Sequence, residues 1–183
     1  MDAQRVHVVG ASGTGTTTIG RALADSWSVP HADVDDYFWE PTDPPYAAQR
    51  DPEARLALME AMFAPRPAWV LSGSIMGWGE ALVPLLDAVV FVTLEPAVRR
   101  ARLRRREHQR YGSRIEPGGD LETANAELLS WAAGYDDPDF AGRSRAFHDA
   151  WLAALPCPVL TLVGDAPVAD LVATITGWAP PAG

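Results

Sequence analysis

Apolar and polar positions along this chain switch between two periods, and each switch marks an element. Arg5 to Val9 is a short β-branched run that stops at Gly10, which predicts a strand feeding a glycine turn. From Thr17 to Ser26 the spacing changes: Ile19, Leu23 and Trp27 fall four apart with alanine filling the turns, the pattern of a helix with one buried face. After Pro30, His31 to Asp36 predicts a second strand. The stretch from Tyr37 to Pro52 is broken by Pro41, Pro44, Pro45 and Pro52, so it is expected to be irregular. Pro52 to Phe63 is helical in pattern, with Leu56, Met59 and Phe63 on one face.

Trp69 to Ser74 and Ala88 to Leu94 are near-continuous apolar runs, as expected of parallel strands covered on both faces. Pro96 suits the first turn of a helix, and an arginine-rich segment follows it to a glycine-rich break over 111–120. Helices are expected from about Leu121 to Gly134 and from Ser144 to Leu155, then a fifth strand over Val159 to Val163 and a closing helix over Val168 to Ile175. Strands alternate with helices from end to end. The expected class is therefore α/β, three layers with a five-stranded parallel sheet and helices on both faces, in one domain over 1–183.

Composition narrows the function classes. Hydrophobic residues at 48% and charged ones at 21% fit a globular chain rather than a disordered or membrane one. No apolar run approaches the roughly 20 residues that span a bilayer, and the first strand follows Met1 closely; the expectation is a cytoplasmic protein without a membrane partner. A net charge of −9 argues against a nucleic-acid partner held by phosphate neutralisation. The lone cysteine, Cys157, is expected to be a small buried hydrophobe, and His31, His108 and His148 show no metal-like spacing. Every one of the 15 side-chain cations is an arginine, and eight of them lie between Arg99 and Arg114.

The chemistry starts at residues 10–17. Gly10-Ala11-Ser12-Gly13-Thr14-Gly15-Thr16-Thr17 is the phosphate-binding G-x-x-x-x-G-K-[ST] loop with Thr16 in place of the lysine, in the strand–loop–helix setting that such a loop requires. Its backbone from Gly10 to Thr18 can wrap phosphates at a helix N-terminus, and Thr17 is placed to ligate Mg²⁺. Thr16 offers only a neutral hydrogen bond, roughly half as strong as a charge-assisted one. No lysine elsewhere repairs the loss, since the chain has none.

Asp33-Val-Asp35-Asp36 closes the second predicted strand, at the carboxyl edge where ligands of open α/β sheets bind. Strand alternation would put Asp33 and Asp35 on one side; the plainer reading of the run is helix or turn capping, which suits Asp36 best. Together these elements resemble the small-metabolite and nucleoside monophosphate kinases of the P-loop superfamily, adenylate and shikimate kinases among them. Leu94 to Arg106 resembles their fourth strand and the helix that enters an arginine-rich lid, here about 99–145. The resemblance implies ATP and Mg²⁺ as cofactors, with Arg102 and Arg106 on the phosphates and Arg143 and Arg145, which follow Asp136 and Asp137, joining on closure. The turn around Gly164 resembles the adenine seat. The Asp pair resembles a D-x-D element in which Asp33 supports the metal with Thr17 and Asp35 orients or deprotonates the acceptor. A solvated helix face is the plain alternative for the arginine run.

The acceptor side is expected in an insertion over about 37–66. Nucleoside monophosphate kinases usually present an arginine just after the third strand, whereas Ser72 to Gly79 carries no cation. Arg50 and Arg55 could grip an acceptor from the second helix, while Tyr37, Trp39, Ser74 and Trp78 could wall its ring, core packing being the alternative for the aromatics. Acids around Asp35, Asp36, Glu40 and Asp43 would also tolerate a cationic acceptor. The leading expectation is an ATP- and Mg²⁺-dependent phosphotransferase for a small metabolite or nucleotide, monomeric or homodimeric. Its rival is a nucleotide-binding regulator, or an impaired P-loop ATPase, that does not transfer phosphate.

Overall fold

In a computed structural model of the chain, which describes Asp2 and residues 4–179, five parallel strands form one sheet. Met1, Ala3 and residues 180–183, the extremes of the unit expected over 1–183, lie outside the described residues. The strands are β1 (Arg5–Gly10), β2 (His31–Asp33), β3 (Trp69–Ser72), β4 (Ala88–Thr93) and β5 (Val159–Val163), in the order β2-β3-β1-β4-β5. The helices are α1 (Thr16–Trp27), α2 (Val34–Phe38), α3 (Pro52–Met62), α4 (Pro96–Tyr111), α5 (Glu122–Ala133), α6 (Arg145–Ala153) and α7 (Val168–Gly177).

Alternation within the strands builds the layers. Val6, Val8, Val70, Ala88, Val90 and Val92 face Ile19, Leu23, Leu171 and Ile175 of α1 and α7. The residues between them, Val9, Trp69, Leu71, Val89 and Phe91, pack with Met59, Phe63 and the partly buried Trp151 and Leu152 on the other face. Both faces are apolar because both are covered. Trp69 and Leu71 are wholly buried, and burying an aliphatic or aromatic side chain this fully stabilises by about 1.5–3 kcal/mol.

The expected α/β class with its five-stranded parallel sheet is present, and most bounds fall within a residue or two of the pattern. The second strand is a correction: it stops at Asp33, and Val34–Phe38 is a turn and a half of helix instead of strand and loop. Asp33 caps that helix, its Oδ1 accepting from the Asp35 N–H at 3.2 Å. A 3-10 segment over Glu80–Leu85 and another over Gly112–Ile115 were absent from the pattern. All strands are parallel, so their carboxyl ends share one edge. β1 lies at the centre of that edge, where connections leave to either side. Among the described residues no helix is long and apolar enough to cross a membrane.

Candidate active site

The glycine loop joins the central strand to α1. Thr14 closes it on itself, its hydroxyl and its N–H both donating to the Ala11 carbonyl at 2.8 and 3.1 Å. Gly13 and Gly15 hold φ of 90° and 96°, where a side chain is strained. A Cβ on Gly13 would also stand 2.5 Å from the Arg99 carbonyl, so α4 packs directly on the loop. Gly15 differs: nothing lies within 4 Å of where its Cβ would be. It is the N-cap of α1 and brings no side-chain cap, which leaves the first-turn N–H groups and the positive end of the helix facing open space. The Thr16 and Thr17 hydroxyls make no hydrogen bond among the described residues. Uncapped donors around an open cradle fit a chain of phosphates.

Arginines approach this loop from both ends of the segment 99–145. Arg99, 1% exposed, donates to the Ser12 carbonyl at 3.2 Å, to the Ala132 carbonyl at 3.0 Å and to Asp136 at 2.7 Å. Arg143 donates to the Ser12 hydroxyl at 3.3 Å and lies 4.8 Å over the Trp131 ring. Ser12 thus carries one arginine on its carbonyl and another on its Oγ. Arg102 donates to the Gly164 carbonyl at 2.7 Å, which brings together two of the residues expected at the nucleotide. Arg106 is held by Glu107 at 2.8 Å and Arg145 by Asp149 at 2.8 Å, the latter guanidinium 5.3 Å from the Phe91 ring centre. A pocket of about 120 Å³ lies between Ala11, Thr14, Arg99, Tyr135 and Arg145.

Arg99 went unassigned in the sequence because spacing alone does not say which face of an arginine-rich helix turns inward. The signal was Leu103: the buried residues of α4 are Arg99, Leu103 and Glu107, one turn apart each. Arg102 and Arg106 lie off that row.

At the end of β2 the acids are arranged differently from a strand. Alternation no longer relates Asp33 to Asp35, because Asp35 already sits in the first turn of α2. The capping expected of Asp36 is performed by Asp33. Asp35 stands open at the mouth of a pocket, yet crowded by protein atoms. That desolvation raises its pKa, the Asp33 carboxylate adds to the rise, and Arg143 and Arg106 pull the other way. Asp36 is raised for the same first reason and by Asp33. Among the described residues no cluster of three or more His, Cys, Asp or Glu forms a metal cage. One carboxylate and one hydroxyl fit Mg²⁺, which keeps most of its waters.

The pocket at Asp35 encloses about 290 Å³ and is bounded by Asp35, Asp36, Glu40, Trp39, Tyr46 and Arg50, with Pro41, Thr42 and Pro45 at its rim. Its wall is the excursion 39–50, folded back by a Trp39–Gln49 bridge and a Glu40-to-Ala48 hydrogen bond of 2.9 Å. Trp39 and Tyr46 meet edge to face at 5.8 Å. Of the residues expected at an acceptor, Asp35, Trp39 and Arg50 come together here. Arg50 is already engaged, donating to the Asp36 and Tyr37 carbonyls at 3.2 and 2.5 Å and pairing with Glu40 at 3.3 Å. Tyr37 is buried against Phe63 at 5.6 Å. Arg55 is buried with its guanidinium 3.7 Å from the Phe38 ring centre and 5.1 Å from that of Trp78, and Trp78 in turn donates to the Ser74 carbonyl at 3.3 Å. None of these four lines the pocket, and Tyr37 and Arg55 are buried.

The chain is 38% identical over 169 residues to the uncharacterized protein YqaC of Bacillus subtilis (strain 168), covering 92% of this chain and 93% of that one. Its fold is similar to that of a gluconokinase from Sinorhizobium meliloti, at TM-score 0.51 and 17% identity over 93% of this chain and 88% of the other. It is similar to a sugar kinase from Janibacter, at TM-score 0.53 and 17% identity over 96% and 94%. A shikimate kinase from Bacteroides thetaiotaomicron gives TM-score 0.53 and 18% identity over 94% and 96%. No protein-family model matches the chain.

Proposed function

On the footing that the chain belongs to the family of YqaC and has the fold of P-loop small-metabolite kinases, we propose that it is an ATP- and Mg²⁺-dependent phosphotransferase acting on a hydroxyl of a small metabolite. The observation that carries this reading is the uncapped N-terminus of α1 under an open glycine cradle, at the same sheet edge as Asp35. Bound ATP and Mg²⁺ supply the transferable phosphoryl group and neutralise charge as it passes. The backbone from Ser12 to Thr17 would hold the phosphates, with the arginines of segment 99–145 around them as a lid, and Thr17 with Asp33 would hold the metal. The turn at Gly164, tied to Arg102, seats the base. Asp35 accepts the acceptor's hydroxyl proton, and its raised pKa makes it a stronger base than an ordinary carboxylate.

The pocket favours a neutral or cationic acceptor over a phosphorylated one. Asp35, Asp36 and Glu40 line it, and its one guanidinium, Arg50, is neutralised by Glu40 and backbone carbonyls. Two aromatic edges, Trp39 and Tyr46, suit a ring. Incubation with ATP and Mg²⁺ and a panel of polyols, amino sugars, nucleosides and nucleoside monophosphates should give acceptor-dependent ADP within the first three groups and none with the monophosphates. ATP binding without ADP from any acceptor would sink the reading. That outcome favours the second one, a nucleotide-binding regulator, whose motive is Thr16 where catalysis usually has an amine.

A further inference from the structure

We propose that Arg143 is the cation that stands in for the missing loop lysine, its guanidinium reaching the phosphates across Ser12. The inference rests on the phosphotransferase reading and assigns the charge that the loop itself lacks. Arg143 touches the loop directly, at 3.3 Å from Ser12 Oγ. Its neighbours are committed: Arg99 to Asp136, Arg106 to Glu107, Arg145 to Asp149, Arg50 to Glu40 and Arg102 to the Gly164 carbonyl. Among the described residues, Arg143 makes no ion pair, and its Nε is buried without a hydrogen-bond partner. A cation left short of partners at a loop rich in unsatisfied N–H groups calls for an anion.

The backbone around Arg143 is well fixed. Ser144, the next residue, is buried and caps α6, its Oγ accepting from the Phe147 N–H at 3.2 Å. The Trp131 face covers the guanidinium from one side. Arg143 touches the loop at Ser12 and lies close enough to Asp35 for the two to feel each other's charge, so one cation serves both the loop and the acceptor carboxylate. A loop lysine would travel with α1; Arg143 travels with the exit of segment 99–145. Phosphate grip then depends on where that segment stands.

The test is a four-way comparison of the whole protein: wild type, Arg143→Ala, Thr16→Lys and the double variant. Binding of inorganic tripolyphosphate, a base-free probe, and of ATP is read by calorimetry with Mg²⁺ present. Arg143→Ala should weaken both by about 10- to 100-fold, the scale of one or two charge-assisted hydrogen bonds. Thr16 is half-buried, so a lysine there has a way out to solvent, and in the double variant Thr16→Lys should bring binding back to within about threefold of wild type. Equal binding by wild type and Arg143→Ala overturns the proposal while leaving the function intact. So does an identical gain from Thr16→Lys in both backgrounds, which would make the two charges independent. Failure of the wild type to bind either ligand overturns both readings. Arg143→Gln keeps the aliphatic stem and a polar end without the charge, and replaces Arg143→Ala in the comparison if the alanine variant does not fold.

Discussion

At the scale of single residues, the site turns on which charges are spoken for. On the proposed reaction, Asp35→Asn keeps the shape of the pocket but removes the base, so turnover should fall by about 100-fold or more while nucleotide affinity stays within about threefold. Because desolvation and Asp33 raise the Asp35 pKa, the acid limb of kcat/KM should lie above the ordinary carboxylate value of 3.8, and it should vanish in the variant. Steady-state kinetics across pH checks both. The glycine turn between β1 and α1 was legible from type and spacing, whereas the acids of 33–36 were legible by type only, since Asp35 lies in α2 and no strand alternation relates it to Asp33. Which arginine does what was not, because a charge's role depends on its partners: Arg99 found Ser12, Ala132 and Asp136, residues far apart in the chain. Tyr37 and Arg55 carried types that suit a binding site, but their side chains were needed to fill and stack behind it.

At the scale of elements, the glycine loop and α2 show local geometry overruling pattern. Gly15→Ala meets no neighbour, yet must hold φ near 96°, which costs about 1–2 kcal/mol for an L side chain. Urea unfolding should show that loss at unchanged m-value, and calorimetry should show weaker tripolyphosphate binding besides. The long elements read well because many residues vote for each: α4 runs Pro96–Tyr111, with Glu95 capping the Val98 N–H at 2.9 Å and the expected glycine at its end. α2 read poorly because five residues show no period. His31 to Asp33 pairs with β3, but Asp33 can satisfy the Asp35 N–H with its own carboxylate, and that bond turns the chain into helix where the apolar pattern said strand.

At the scale of the whole molecule, two histidines are buried, one on the central strand and one on α6. His7 and His148 are fully buried, and desolvation lowers their pKa values to about 4 and about 3; Leu71 partly opposes this for His7, while Arg143, His7 and Arg145 add to it for His148. His148 meets the Tyr135 hydroxyl at 2.7 Å, and His7 the Leu71 carbonyl at 3.2 Å. The unfolded chain, with ordinary values near 6.5, binds more protons than the folded one below that pH. Stability is therefore complete above about pH 6.5 and is lost as pH falls toward about 4 for His7 and about 3 for His148, at up to about 1.4 kcal/mol per pH unit for each. Urea titrations at pH 7.5, 6 and 5 should show the fall, and His7→Gln should roughly halve its slope. The strand order, too, lay beyond the sequence pattern, since alternating strands and helices fit several parallel orders. One feature of the loop reaches into how such a protein is detected. Reagents that trap nucleotide-binding proteins by acylating the amine beside a bound phosphate would meet hydroxyls and guanidiniums at this loop, both poor nucleophiles at neutral pH. A site that binds nucleotide as proposed would take up the reagent's nucleotide and release it unmarked.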